Sequence, residues 1–174
     1  DTVIDLMIPR GSKALVRLVK EHTKIPVLGH ADGICHYYID SSVDQEQAVS
    51  LVVDSKTQYP AVCNALETLL VHKDSAESFL PAVKKALDEK GVEIGGDEGA
   101  RKIIDVIPAT EEDWATEYDD LILSVKVVSD IHEAMEHINR YGSHHTDAIA
   151  TDDASMAEIF FAGVDSSSVM HNAS

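Results

Sequence analysis

Short β-rich runs alternate with amphipathic helical stretches along the whole chain, and this alternation constrains the fold more than any other feature. Residues 3–8, 25–28, 36–40, 68–72, 92–94, 121–128, 148–151 and 168–172 read as strands. Between them, apolar residues recur at helical spacing: Leu15, Leu18 and Val19; Ala48, Leu51 and Val52; Phe79, Leu80, Val83 and Leu87; Ile131, Met135 and Ile138. Strands separated by helices are joined by crossovers long enough to run them parallel. The expected fold class is therefore α/β: a layered, mostly parallel sheet with helices on both faces. No linker or repeat interrupts the pattern, so residues 1–174 read as one domain.

The breakers fall between these elements. Pro9-Arg10-Gly11 ends the first run, and Ser12 follows as a helix cap. Tyr59-Pro60 stops the second helix, because the residue before proline disfavours the α region. A helix over 75–90 carries Pro81, expected in its first turns, and ends at Gly91. Gly95-Gly96 reads as a turn, 108–116 as a polar loop, and Asp130 with Glu133 as a capping box before a helix closed by Gly142.

Composition excludes several function classes. Fourteen basic residues stand against 31 acidic ones, a formal net charge of −17. Such a surface repels nucleic acid and offers no basic attachment to anionic membranes. No apolar run approaches the roughly 18 residues that span a bilayer, and no basic segment followed by an apolar stretch marks a secretory leader at the start. The first residue is Asp1, which fits a piece excised from something larger. Two cysteines, Cys35 and Cys63, are too few for a disulfide scaffold and suit a reducing compartment.

Cys63 lies in a proline-containing connection between a helix and a strand, off any apolar periodic face. Loops at strand ends are where α/β proteins place ligands and catalysts, and a thiol there has the exposure that thiolate chemistry needs. Its alternative is a small buried hydrophobe. Cys35 reads as a core cysteine: it and His36 are neighbours in a strand and point to opposite faces. The nine histidines show no metal-ligand spacing, so no metal is expected. His30 and the run His144-His145-Thr146-Asp147 suit polar contacts to an anionic ligand, or are ordinary loop residues. Gly95-Gly96-Asp97-Glu98-Gly99 lacks the Lys-Ser/Thr of a phosphate loop, and its carboxylates would repel phosphate. Arg10 suits a phosphate or carboxylate, or a place on the surface.

Around Cys63, Tyr59-Pro-Ala-Val-Cys-Asn-Ala-Leu-Glu-Thr-Leu-Leu-Val-His72 resembles the nucleophile segment of γ-glutamyl phosphate reductases (glutamate-5-semialdehyde dehydrogenases). It is most similar to the reductase half of bifunctional Δ1-pyrroline-5-carboxylate synthases. Ile4-Asp-Leu-Met-Ile-Pro-Arg-Gly11, Ile25-Pro-Val-Leu-Gly-His-Ala-Asp-Gly-Ile-Cys-His36, Tyr141-Gly-Ser-His-His-Thr-Asp147 and Val169-Met-His-Asn-Ala-Ser174 agree.

The resemblance implies an aldehyde dehydrogenase-type catalytic domain, without its cofactor-binding domain and oligomerisation arm. It implies NADPH-dependent reduction of γ-glutamyl phosphate to glutamate 5-semialdehyde in proline biosynthesis, through a thioester on Cys63. Glu117 in Thr116-Glu-Tyr aligns with the glutamate that meets the nicotinamide ribose in this superfamily. The usual general-base glutamate has no counterpart near the start of the chain, as suits an acyl-phosphate reaction. Arg10, His30, Asn64, Ser143, His144, His145, Thr146 and Asp147 are the implied substrate-binding residues; Asp147 or Asp32 suits the substrate ammonium. The resemblance further implies at least two subunits, a fused glutamate 5-kinase and a cytoplasmic setting, with mitochondrion or plastid as the alternative. Competing readings are an assembly module of the same polypeptide and a hydrolytic dehydrogenase acting on a free aldehyde.

Overall fold

The computed structural model describes residues 3–11, 13–29 and 32–174, without the side chain of Lys13. The expected cap Ser12 and the site residue His30 lie outside the described residues.

The strands are β1 (Cys35–Ile39), β2 (Leu66–His72), β3 (Glu93–Gly96), β4 (Ile107–Pro108), β5 (Ile122–Val128), β6 (Thr146–Ala150) and β7 (Ser168–His171). They form one seven-stranded sheet in the order β4-β3-β5-β2-β1-β6-β7. Every pairing within it is parallel. The helices are α1 (Lys13–His22), α2 (Gln45–Thr57), α3 (Lys73–Asp88), α4 (Glu98–Arg101), α5 (Ile131–Tyr141) and α6 (Ala154–Gly163).

Alternation along the central strands splits the core in two. Tyr37, Ile39, Leu69 and Val71 face one layer, with Ala48 and Val52 of α2 and Phe79, Leu80, Val83 and Leu87 of α3. Tyr38 and Leu70 face the other, with Ile131, Ala134, Met135 and Ile138 of α5 and Phe160 of α6. The expectation of helices on both faces of a parallel sheet is met, and the strands are apolar on both sides for that reason.

Caps set the helix boundaries. The Asp44 carboxylate accepts from the Gln47 N–H at the start of α2. The Asp130 carboxylate accepts from the His132 and Glu133 N–H groups at the start of α5. The Glu133 side chain reaches back one residue past the cap, accepting from the Ser129 N–H and hydroxyl, a variant of the expected capping box. Gly91, at φ +75, closes the turn after α3.

Sequence expectations at Pro81 and at Gly95-Gly96 are corrected. Pro81 lies inside α3 rather than in its first turns. It is tolerated because it and Glu77, whose carbonyl loses a partner, are both on the exposed face of the helix. Gly95 and Gly96 belong to β3 instead of forming a turn. A Cβ at Gly96 would stand 2.8 Å from the Val106 side chain, so the strand passes there only with glycine. The turn falls at Asp97, whose carboxylate caps α4.

Residues 3–28 stand apart from the seven strands, and the strands expected over 3–8 and 25–28 reduce to a single bridge. Met7 and Val27 make a single parallel bridge across α1, with Met7 N–H bonded to Pro26 O and Leu28 N–H to Met7 O. Val16 of α1 is buried, while Val3, Ile4, Leu6, Ile8, Leu15, Leu18 and Leu28 are exposed.

Candidate functional site

Parallel strands bring their leading loops to one edge of the sheet. In sheet order, the loops ahead of β5, β2, β1 and β6 carry Glu117, Cys63, Gly33 and Ser143. Residues far apart in sequence are thereby made neighbours. This is the amino-terminal edge, opposite the carboxyl-terminal edge that open α/β sheets usually offer to ligands.

Cys63 is exposed and free, in the loop between α2 and β2. Turns hold that loop: Val62 N–H donates to Tyr59 O and Ala65 N–H to Val62 O. The N–H groups of Cys63 and Asn64 donate to no other described residue. Two successive free donors beside an exposed thiol can meet an oxyanion developing on a group bonded to that thiol. Asn64 is also exposed.

Gly33 and Glu117 flank Cys63. A Cβ built at Gly33 would stand 2.2 Å from the Cys63 carbonyl oxygen and 2.7 Å from Glu117 Oε1. The Glu117 loop is pinned by Tyr118, whose hydroxyl donates to Asp113 Oδ1 and pairs with Ser124 Oγ. It is tied to β2 as well, through Asp119 N–H and Glu67 Oε1 at 3.4 Å. A carboxylate so placed offers a hydrogen-bond acceptor close to the Cys63 backbone.

On the other side of β1, Ser143 accepts from the Ile34 N–H at 2.9 Å and latches the β6 loop to the β1 loop. Thr146 begins β6, and its hydroxyl pairs with His145 Nδ1. His144 is exposed, at φ +59, and its Nδ1 meets Asp165 O. Asp147 is buried. One oxygen accepts from the His36 N–H at 2.8 Å and lies 3.1 Å from His36 Nδ1; the other accepts from the Ser166 hydroxyl. Both oxygens are thus occupied within the protein. Asp32, the other residue suited to an ammonium, is paired with Arg17 at 3.1 Å. Arg10 is exposed on the separate segment 3–28.

Asn64, Thr146, Asp147 and Cys35 line one narrow cavity of ≈ 30 Å³, room for water but not for an amino-acid phosphate. Among the described residues, no group of three or more His, Cys, Asp or Glu is placed to hold a metal ion.

Sequence reasoning missed Gly33. Its role comes from backbone approach between segments 30 residues apart and more, which no local pattern reports. Cys35 is buried, as expected, but its thiol donates to the Cys63 carbonyl at 3.4 Å.

No protein-family model matches the chain. It is 59% identical over 174 residues to a γ-glutamyl phosphate reductase of Cyanothece sp., covering 100% of this chain and 40% of the relative. The crystal structure of γ-glutamyl phosphate reductase from Thermotoga maritima superposes with a TM-score of 0.97 at 44% identity. That match covers 99% of this chain and 42% of the other. An NADP-dependent glyceraldehyde-3-phosphate dehydrogenase from Bacillus halodurans, solved with NADP, shares the fold alone, with a TM-score of 0.78 at 18% identity, over 98% of this chain and 44% of that one. The chain thus spans about two fifths of the curated relatives it matches. Over that span it is a homologue of the γ-glutamyl phosphate reductases, built on an aldehyde dehydrogenase-type α/β fold.

Proposed function

We propose that the complete protein reduces γ-glutamyl phosphate to glutamate 5-semialdehyde in proline biosynthesis, with Cys63 as its nucleophile. The observation that carries this reading is the exposed Cys63 thiol on a backbone whose 63 and 64 N–H groups donate to no other described residue, with Glu117 Oε1 close by across Gly33.

The Cys63 thiolate attacks the acyl carbon, the bond to the phosphate oxygen breaks, and phosphate leaves. The product is a γ-glutamyl thioester on Cys63. The N–H groups of Cys63 and Asn64 hold the oxyanion; loss of such a donor costs on the order of 10²–10³ in rate. NADPH, when bound, supplies the hydride that reduces the thioester carbon. Glu117 holds its ribose, and the rest of the dinucleotide binds outside this chain. The C–S bond then breaks, Cys63 leaves as thiolate, and the aldehyde is released.

On the resemblance, Asn64, Ser143, His144, His145 and Thr146, with Arg10 and His30, supply contacts to substrate carboxylate and phosphate. Asp147 is excluded from that set by its internal bonds. The reading extends, on the resemblance alone, to at least two subunits, a fused glutamate 5-kinase and a cytoplasmic setting.

The test is the reverse reaction in the complete protein. Pyrroline-5-carboxylate and NADP⁺ are supplied with and without inorganic phosphate, and NADPH is followed. Phosphate-dependent formation that vanishes in Cys63→Ala is expected. Phosphate-independent formation would point instead to hydrolysis of a free aldehyde, and none at all to an assembly module.

A further inference from the structure

The loop ahead of β1 converges at two points on a single atom, the carbonyl oxygen of Cys63. Gly33 is buried, and its missing Cβ would lie 2.2 Å from that oxygen and 2.8 Å from its carbon. Only glycine lets the backbone pass so close. Two residues on, the buried Cys35 thiol donates to the same oxygen at 3.4 Å. Burial, and then the Asp147 carboxylate, push the Cys35 pKa far up, so the thiol keeps its proton and remains a donor.

The peptide joining Cys63 to Asn64 is planar and trans, so its N–H points opposite to its C=O. A carbonyl held toward Cys35 therefore turns the Asn64 N–H away from it. It also fixes the backbone from which the Cys63 side chain projects. We propose that Gly33 and Cys35 are positioning residues, holding the Cys63 carbonyl so that thiol and neighbouring donor face the acyl group together. The proposal rests on Cys63 being the nucleophile. Neither residue touches the substrate; both act through the Cys63 peptide. Misplacement of a reacting group by about 1 Å is enough to cost on the order of 10²-fold in rate.

The experiment compares Cys35→Ala, Cys35→Ser, Gly33→Ala and Cys63→Ser in the complete protein. The readouts are kcat and KM for phosphate-dependent oxidation of pyrroline-5-carboxylate, the rate at which iodoacetamide labels the Cys63 peptide, and the melting temperature. Cys35→Ala is expected to lower kcat about ten-fold or more while KM stays within about two-fold. Cys35→Ser, whose hydroxyl can donate to the same oxygen, recovers most of the loss. Gly33→Ala lowers kcat and alters Cys63 labelling in the same direction. Should Cys35→Ala fail to fold, Cys35→Val, which fills the space without a donor, carries the same comparison. A kcat unchanged in the variants lacking a donor, or a serine variant as impaired as alanine, overturns the proposal. Turnover surviving in Cys63→Ser would instead overturn the nucleophile assignment beneath it.

Discussion

The Lys56 ammonium lies 2.7 Å from Glu67 Oε2, with both side chains sealed from solvent. Lys56 projects from α2 and Glu67 from β2, so the pair staples the two elements that flank the Cys63 loop. The other Glu67 oxygen accepts from Asp119 N–H in the Glu117 loop. Burial pushes the Glu67 carboxyl up to about 7 and the Lys56 ammonium down, each opposed by its partner.

A buried pair of this kind is costly to break and cheap to replace. Lys56→Met leaves a buried carboxylate alone and is expected to destabilise by about 3–5 kcal/mol. The double variant Lys56→Met/Glu67→Leu is expected to regain most of that loss. Urea unfolding of the single and double variants checks both. A single variant as stable as the parent would show that the pair is not sealed.

His137 sets a pH dependence of known sign. It is buried among His36, Trp114 and Tyr141, with Trp114 edge-on at 5.4 Å. Burial first, then His36 and Lys126, pushes its pKa down to about 3. Unfolded chains take up this proton near pH 6.5, while the folded protein resists until about 3. Stability from this residue therefore falls as pH falls through that window, by up to about 1.4 kcal/mol per pH unit. His137→Phe should flatten the slope, so its stability relative to the parent rises steadily from pH 6.5 to 4. Parallel stability curves would contradict the assignment.

Asp147 ties the starts of β1 and β6 together through the His36 N–H, and reaches the β7 loop through Ser166. Asp147→Ala leaves the buried His36 N–H without an acceptor, at about 1–3 kcal/mol. Asp147→Asn keeps acceptor capacity and should lose less. Amide exchange at His36 is expected to speed up in the alanine variant and stay slow in asparagine.

What the chain determined by itself is local. Phe79, Leu80, Val83 and Leu87 at helical spacing, the Asp130–Glu133 box and the apolar runs around Tyr37 and Leu69 specify helices and two-sided strands without reference to distant residues. Cys63 stood out for the same reason, as a thiol off every apolar face. Pro81 and Gly96 escaped a local reading because solvent exposure of Glu77 and the approach of Val106 decided them. The tertiary structure alone decided that β5, β2, β1 and β6 lie side by side. That order is set by crossovers over the two faces of the sheet, and it brings Glu117, Cys63 and Gly33 to one edge. Periodicity states which way a side chain faces within its element; contact between residues 33, 63 and 117 exists only once the strands have paired.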